Sequence, residues 1–244
     1  MHHAAWEDAV FIHYYFNPVE IAGLLPADLE VDTYQGTAWV GLVLLTEAGI
    51  GPAYVPKFLK TCLSLTHHAV NVRTYVKRNG VPGIYFFSLD ATSALASLGA
   101  KLLFNLPYKL AVMRRRHEII SSDTNELCVR YFFESRRRWK DAPRVSVCWD
   151  VKKGTPAKEA EIGSFEEFCV ERYCLFNSLP FASSRTTHRG TIYHRPWKLK
   201  EATSLIHCES TMLQSHGIEP SRQKPRVHFS EGVSDIDFWL FQST

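Results

Sequence analysis

The sequence has little of what marks the commonest function classes. Its 6 cysteines, at positions 62, 128, 148, 169, 174 and 208, are scattered through 244 residues, and no pair has the spacing of a zinc site or a redox motif. Cys169 and Cys174 read instead as thiols packing one helix. Walker, dinucleotide-binding and nucleophile-elbow glycine patterns are absent, which removes the usual phosphate loops and serine hydrolases. The longest apolar run, Ala38 to Leu45, is far too short to span a bilayer. The opening MHHAAWEDAV lacks the basic start and apolar core of a secretory signal, so reduced thiols in the cytoplasm are expected. A net charge of +3 does not demand nucleic acid. The basic runs are Arg114-Arg115-Arg116 and Arg136-Arg137-Arg138; alternation on paired strands would split each between two faces, which favours a solvated sheet edge over a phosphate patch. His67-His68 are adjacent and point oppositely on a strand with no third ligand at suitable spacing, so no metal is expected. No cofactor is implied.

What is present is aromatic. At 13% aromatic with 45% hydrophobic residues, the composition suits a sheet-rich fold, and no linker divides residues 1–244, which read as one domain. The chain is organised around Asn71 to Asp90. Residues 70–76 and 84–90 are rich in β-branched and aromatic side chains, and Lys77 to Gly83 between them holds Asn79-Gly80 and Pro82-Gly83, so the stretch reads as a β-hairpin. Val70, Val72, Thr74 and Val76 share one face; Asn71, Arg73 and Tyr75 share the other. Ser88 and Asp90 also share a face, and a hairpin register that turns them towards Arg73 would bring the three together.

Around this hairpin, Asn17-Pro18 caps a short helix to about Leu25. Leu29 to Tyr34 and Thr37 to Leu45 flank a Gln35-Gly36 turn, and Gly49 to Lys57 reads as a loop. Thr92 to Phe104 has helical period ended by Asn105 and Pro107. Leu110–Ile119, Glu126–Arg136 and Val145–Val151 read as strands. Ser164 starts a helix carrying Phe165, Phe168, Cys169, Tyr173 and Leu175. Late strands fall at Arg189–His194, Leu199–His207, Arg226–Ser230 and Phe238–Phe241. The balance predicts a mainly β, α+β fold whose antiparallel sheet closes into a barrel, with two or three packing helices.

Several motifs are familiar. Leu29-Glu30-Val31-Asp32-Thr33-Tyr34, Ala38-Trp39-Val40-Gly41, Asn71 to Val76, Phe86 to Asp90, Leu106-Pro107-Tyr108, Glu171-Arg172-Tyr173, His194 with Pro196-Trp197, and His228-Phe229-Ser230 with Gly232-Val233 strongly resemble the YqjF-like family, a bacterial domain of unknown function. The resemblance extends to the acetoacetate decarboxylase-like superfamily and implies a closed antiparallel β-barrel with a ligand cavity. In the decarboxylases a proline precedes two lysines, the first forming a Schiff base and the second depressing its pKa. Here Pro107-Tyr108-Lys109 puts Tyr108 at the Schiff-base position, leaves Lys109 to match the second lysine, and sets Gly99 one residue further from the proline.

From the residues themselves, Arg73 is the leading candidate, either as a bidentate anchor for a ligand carboxylate or in an internal ion pair with Asp90 or Glu171. Asn71, Tyr75, Ser88 and Asp90 are its candidate companions. Tyr108 can donate a hydrogen bond to a ligand or simply line the wall, and Lys109 can be a reactive amine or an outward-pointing lysine. His194 and His228 can serve as acid or base at a cavity mouth or as structural histidines. Three functions stay open: a barrel binding a small carboxylate or carbonyl compound, a decarboxylase-like enzyme on a keto acid using Lys109 or Tyr108, and a scaffold without ligand. Assembly into a homo-oligomer is equally open.

Overall fold

The computed structural model describes residues 2–51, 65–93, 107–121, 127–178, 187–200, 203–220 and 223–242. In chain order the elements are β1 (His2–Phe16), α1 (Pro18–Ala22), β2 (Glu30–Val31), β3 (Ala38–Ile50), β4 (Leu65–Arg78), β5 (Val81–Ala91), β6 (Tyr108–Ser121), β7 (Leu127–Arg137) and β8 (Arg144–Lys152). There follow β9 (Ala157–Glu159), α2 (Phe165–Val170), β10 (Cys174–Ser178), β11 (Thr187–Tyr193), β12 (Lys198–Lys200), β13 (Thr203–Ser210) and β14 (Arg226–Gln242). No helix among the described residues is long and apolar enough to cross a membrane.

The pairings form a closed circuit. β5 pairs with β4, β4 with β3, β3 with β1, β1 with β14, β14 with β11, β11 with β10, and β10 in parallel with β5 again. Closure leaves none of these strands with a bare edge along its paired length. From β5 a second sheet departs: β6 runs parallel to it at residues 89–91, then continues as the antiparallel meander β6–β7–β8–β13. Strand alternation therefore serves two cores. Phe11, Val43, Leu45, Tyr75, Ile84 and Phe86 fill the lumen of the circuit. Val10, Ile12, Leu42, Val70 and Val72 face the other way and pack with Met113, Phe133, Val147 and Trp149 of the second sheet.

Two buried arginines stitch that second sheet to the barrel. Arg115 of β6 reaches Asp8 of β1 at 2.6 Å, and Arg137 of β7 forms a two-pronged pair with Asp90 of β5 at 2.8 and 2.9 Å. The expectation that both basic runs are solvated sheet edges is corrected for these two. Alternation turns one arginine of each triplet inward, where a barrel carboxylate meets it.

Other expectations are corrected in detail. Residues His2–Phe16 form an unexpected strand, β1; its alternation is interrupted by a register shift between Glu7 and Val10, and Asp8 there has φ 48°. The β4–β5 turn is Asn79-Gly80, with φ 51° and 77°, a two-residue hairpin turn. Pro82-Gly83 lies inside β5 because β10 passes so close that a Cβ at Gly83 would sit 2.8 Å from the Cys174 carbonyl oxygen and 2.7 Å from the Phe176 ring. Gln35-Gly36 does turn, but β2 pairs with β4 instead of β3. The helix from Ser164, whose hydroxyl accepts from Glu167 N at 3.1 Å, stops at Val170, so Tyr173 lies beyond it and Cys174 and Leu175 belong to β10. Arg226–Ser230 and Phe238–Phe241 are parts of one strand, β14. Most of the helix expected at 92–104 and of the loop at 49–57, with Gly99, Ala100 and Lys101, lies outside the described residues.

Candidate functional site

Inside the strand circuit lies a narrow cleft of about 60 Å³. Its walls are largely apolar, and Asn71, Arg73, Glu47, Tyr108, Arg172 and His194 bring polar groups into it. An apolar pocket with a few convergent polar groups is the general form of a small-molecule site.

Arg73 arrives there by alternation. On β4, Asn71, Arg73 and Tyr75 face the lumen while Val70 and Val72 face the second sheet. The half-buried guanidinium lies 5.6 Å from the Phe11 ring centroid and 5.8 Å from that of Tyr75, and its Nη2 donates to the backbone oxygen of Cys169 at 3.0 Å. Its Nε is buried without an acceptor. Neither carboxylate foreseen as an internal partner reaches it: Asp90 is held by Arg137, and Glu171 accepts from Trp197 N at 2.8 Å and from the Tyr173 hydroxyl. Among the described residues no ion pair engages Arg73. Nearby Arg172 differs, donating to Asp32 Oδ2 at 2.6 Å and to the Phe168 carbonyl at 2.6 Å.

Ser88 and Asp90 do not join Arg73. Val72 opposes Ser88 and Arg73 opposes Phe86, so Phe87 is an extra residue on β5. That bulge reverses which side chains point inward: Ile84 and Phe86 face the lumen before it, Leu89 after it. Ser88 and Asp90 are thereby turned onto the outer face with Val70 and Val72, fully buried against the second sheet. Burial raises the Asp90 pKa, with the Arg137 contact opposing it.

The same alternation separates the neighbours Tyr108 and Lys109. In the parallel pairing Tyr108 stands beside inward Leu89 and Lys109 beside outward Asp90. Tyr108 lines the cleft, its hydroxyl held protonated by burial and then by Glu47. Lys109 is exposed and outside the cleft. From there it cannot reach a ligand carbonyl inside the cleft.

Tyr75 is fully buried behind Arg73, its hydroxyl 2.6 Å from Nε2 of the equally buried His13. His194 lines the mouth with Nδ1 donating to the Arg195 carbonyl at 2.8 Å, which fixes the proton on that nitrogen. Burial lowers its pKa, so the neutral ring is favoured. Its ring stacks with Tyr173 at 4.7 Å, and Trp6 stacks on Trp197 at 5.9 Å and 11° beside it. His228 is elsewhere, with Nε2 3.0 Å from Glu166.

Glu47 was not foreseen. Burial pushes its pKa up to about 7. Its signal lay in the phase of β3: Val43, Leu45 and Glu47 are successive inward positions, so the acid that ends the apolar run continues its inner face. Trp6, Trp197 and Arg172 were likewise not named as lining residues.

A family model, DUF2071, described as an uncharacterized conserved protein, matches residues 3–234. The chain belongs to the DUF2071 family. Within it, the uncharacterized protein YqjF of Bacillus subtilis (strain 168) is 31% identical over 239 residues, covering 96% of this chain and 88% of that protein. Solved structures share the fold of this DUF2071 chain at low identity. The enduracididine biosynthesis enzyme MppR complexed with pyruvate aligns with TM-score 0.63 and 10% identity over 98% of this chain and 89% of its own. Acetoacetate decarboxylase from Legionella pneumophila aligns with TM-score 0.56 and 11% identity over 99% and 86%.

Proposed function

We propose that this protein binds a small carboxylate or keto acid inside the barrel, with Arg73 as the anchor for the carboxylate. The observation that carries this is an arginine facing a largely apolar cleft with one backbone acceptor and no carboxylate partner among the described residues. A guanidinium in such surroundings is satisfied by a bidentate anion, and the contact strengthens as water is excluded. Tyr108 and Asn71 supply a donor and an amide beside it, and Trp6 and Trp197 cover apolar parts of the ligand. The described cysteines, Cys128, Cys148, Cys169, Cys174 and Cys208, are free thiols, in keeping with a cytoplasmic setting.

Pyruvate, bound by the structurally similar biosynthesis enzyme, is the first probe, followed by acetoacetate and short fatty acids. Thermal unfolding of the whole chain is followed with each. A ligand at 100 times its Kd adds about 2.7 kcal/mol to stability. Stabilisation of the wild type that disappears in Arg73→Ala and Arg73→Gln supports the reading; equal stabilisation of all three proteins, or of none, overturns it.

The carbonyl enzyme working through an imine at Lys109 has less support, since that lysine is exposed on the far side of the strand. Borohydride reduction in the presence of pyruvate is expected to leave Lys109 unmodified, as read by peptide mass.

A further inference from the structure

Asn71 and Arg73 are successive inward residues of β4, about 7 Å apart along the strand, and both line the cleft. Asn71 is 7% exposed, yet its Oδ1 is buried with no donor among the described residues, and Arg73 Nε is buried with no acceptor. The two do not satisfy each other. The guanidinium is drawn towards the ring of Tyr75, on its other side along β4, and the Cys169 carbonyl. The flanking strands supply no donor either, because Asn71 stands opposite Val43 on β3 and Leu89 on β5, both apolar and both facing the cleft. A buried acceptor without a donor is costly, and the open side of this one is the cleft itself.

We infer that the ligand is a short 2-hydroxy acid: its carboxylate is held by Arg73, and the hydroxyl on the adjoining carbon donates to Asn71 Oδ1. This rests on the carboxylate reading above and names the substituent that the acid carries. The protein presents a donor and then an acceptor along one face of β4, and a 2-hydroxy acid presents an acceptor and then a donor in the same order. Two hydrogen bonds of about 2.8 Å each, with a C–OH beside a carboxylate between them, bridge side chains rooted that far apart.

Size and charge point the same way. A cleft of about 60 Å³, at roughly 10–15 Å³ for each water-sized group, takes about four to six such groups, which is the scale of a three-carbon acid and not of a fatty acid. A hydroxyl brings Asn71 its donor without carrying a second charge into largely apolar walls, as an ammonium would. A keto oxygen is an acceptor only and gives Oδ1 nothing. Arg73, Asn71 and the apolar wall touch three different substituents of the carbon that bears the hydroxyl, so the site is chiral and favours one enantiomer.

The test is isothermal calorimetry on the whole chain with propionate, pyruvate, alanine and each enantiomer of lactate, three-carbon acids that differ at the second carbon. One enantiomer of lactate should bind about threefold to tenfold more tightly than propionate, as one added neutral hydrogen bond implies, and more tightly than pyruvate, alanine or its own mirror image. Asn71→Leu, close in volume but without the amide, should bring both lactates down to the level of propionate, and Arg73→Gln should remove binding of every acid. If Asn71→Leu does not fold, the ranking of the acids by the wild type still decides. Equal affinity for propionate and both lactates, lost in Arg73→Gln, overturns the hydroxyl contact and leaves the carboxylate reading standing. Tightest binding of pyruvate would show the amide donating to a carbonyl, tightest binding of alanine would show a cation site, and either overturns the hydroxy acid. A lactate preference that survives in Asn71→Leu overturns the role of Asn71; failure of every acid to bind removes both readings.

Discussion

The two sides of β4 and β5 treat the same kind of residue in opposite ways. On the outer side, Arg137 and Arg115 are buried and each meets a barrel carboxylate, Asp90 or Asp8. On the inner side, Arg73 faces a cleft, where it meets the Cys169 carbonyl oxygen and the Phe11 and Tyr75 rings but no carboxylate of the described residues. Outside, the charge is consumed in joining two sheets. Inside, it meets no carboxylate among the described residues, which is the ground of the proposed anion site. An arginine's use is thus decided by which face of one strand it occupies, and on β5 that face is set by one extra residue.

The contrast predicts different costs. Asp90→Ala should destabilise the fold by about 3–5 kcal/mol in urea unfolding, because Arg137 is left buried without its counter-charge. Pairing it with Arg137→Met should return much of that loss; a double variant as unstable as the single one would mean that the pair is not what holds the seam. Gly83→Ala should cost about 1–3 kcal/mol, since the added methyl meets a strand carbonyl and a ring at the seam where the barrel closes. A stability change near zero would show that β10 can move away from β5.

A smaller effect concerns pH. His67 is lowered to about 4 from 6.5, so the unfolded chain binds a proton that the native state refuses, and this group's contribution is lost as pH falls from about 6.5 to 4. Glu47 is raised from 4.5 to about 7, so the native state keeps a proton that the unfolded chain has released. Its contribution is full below 4.5 and lost as pH rises through about 7. The two oppose each other between about 4.5 and 6.5. In Glu47→Gln, stability should therefore climb more steeply with pH across that window, as measured by denaturant midpoints; an unchanged slope would deny Glu47 its raised pKa. Smallest of all, Lys109→Ala should shift stability by under about 0.5 kcal/mol and leave carboxylate binding intact, as expected of an exposed residue outside the cleft.

The strand content and the face shared by Asn71, Arg73 and Tyr75 were legible because alternation is a local property of an extended chain, but which face turns inward was not. The family resemblance carried the barrel further than composition allowed. What escaped the sequence depends on pairing between distant segments. Nothing local to Phe87 announces that it will be the residue without a partner, yet that decides where Ser88 and Asp90 point. Pro82-Gly83 looks like a turn until β10, nearly a hundred residues on, proves to need the missing side chain. The helix period from Phe165 continues on paper through Leu175, but the chain turns after Val170 so that Arg172 can reach Asp32. Glu47 was overlooked because the apolar run was taken to end the strand, whereas β3 continues to Ile50.

The order in which the barrel closes has a consequence for how it is made. β1 lies between β3 and β14, with His13 beside Arg226 and Trp6 beside Val233. On a ribosome, β1 emerges long before β14 and must wait for it before its second edge is covered. Contacts so remote in sequence slow folding, because a long loop must be ordered before they return any stability. Until β14 arrives, the nascent chain presents an open strand edge, and that interval is when it is most exposed to pairing with another copy.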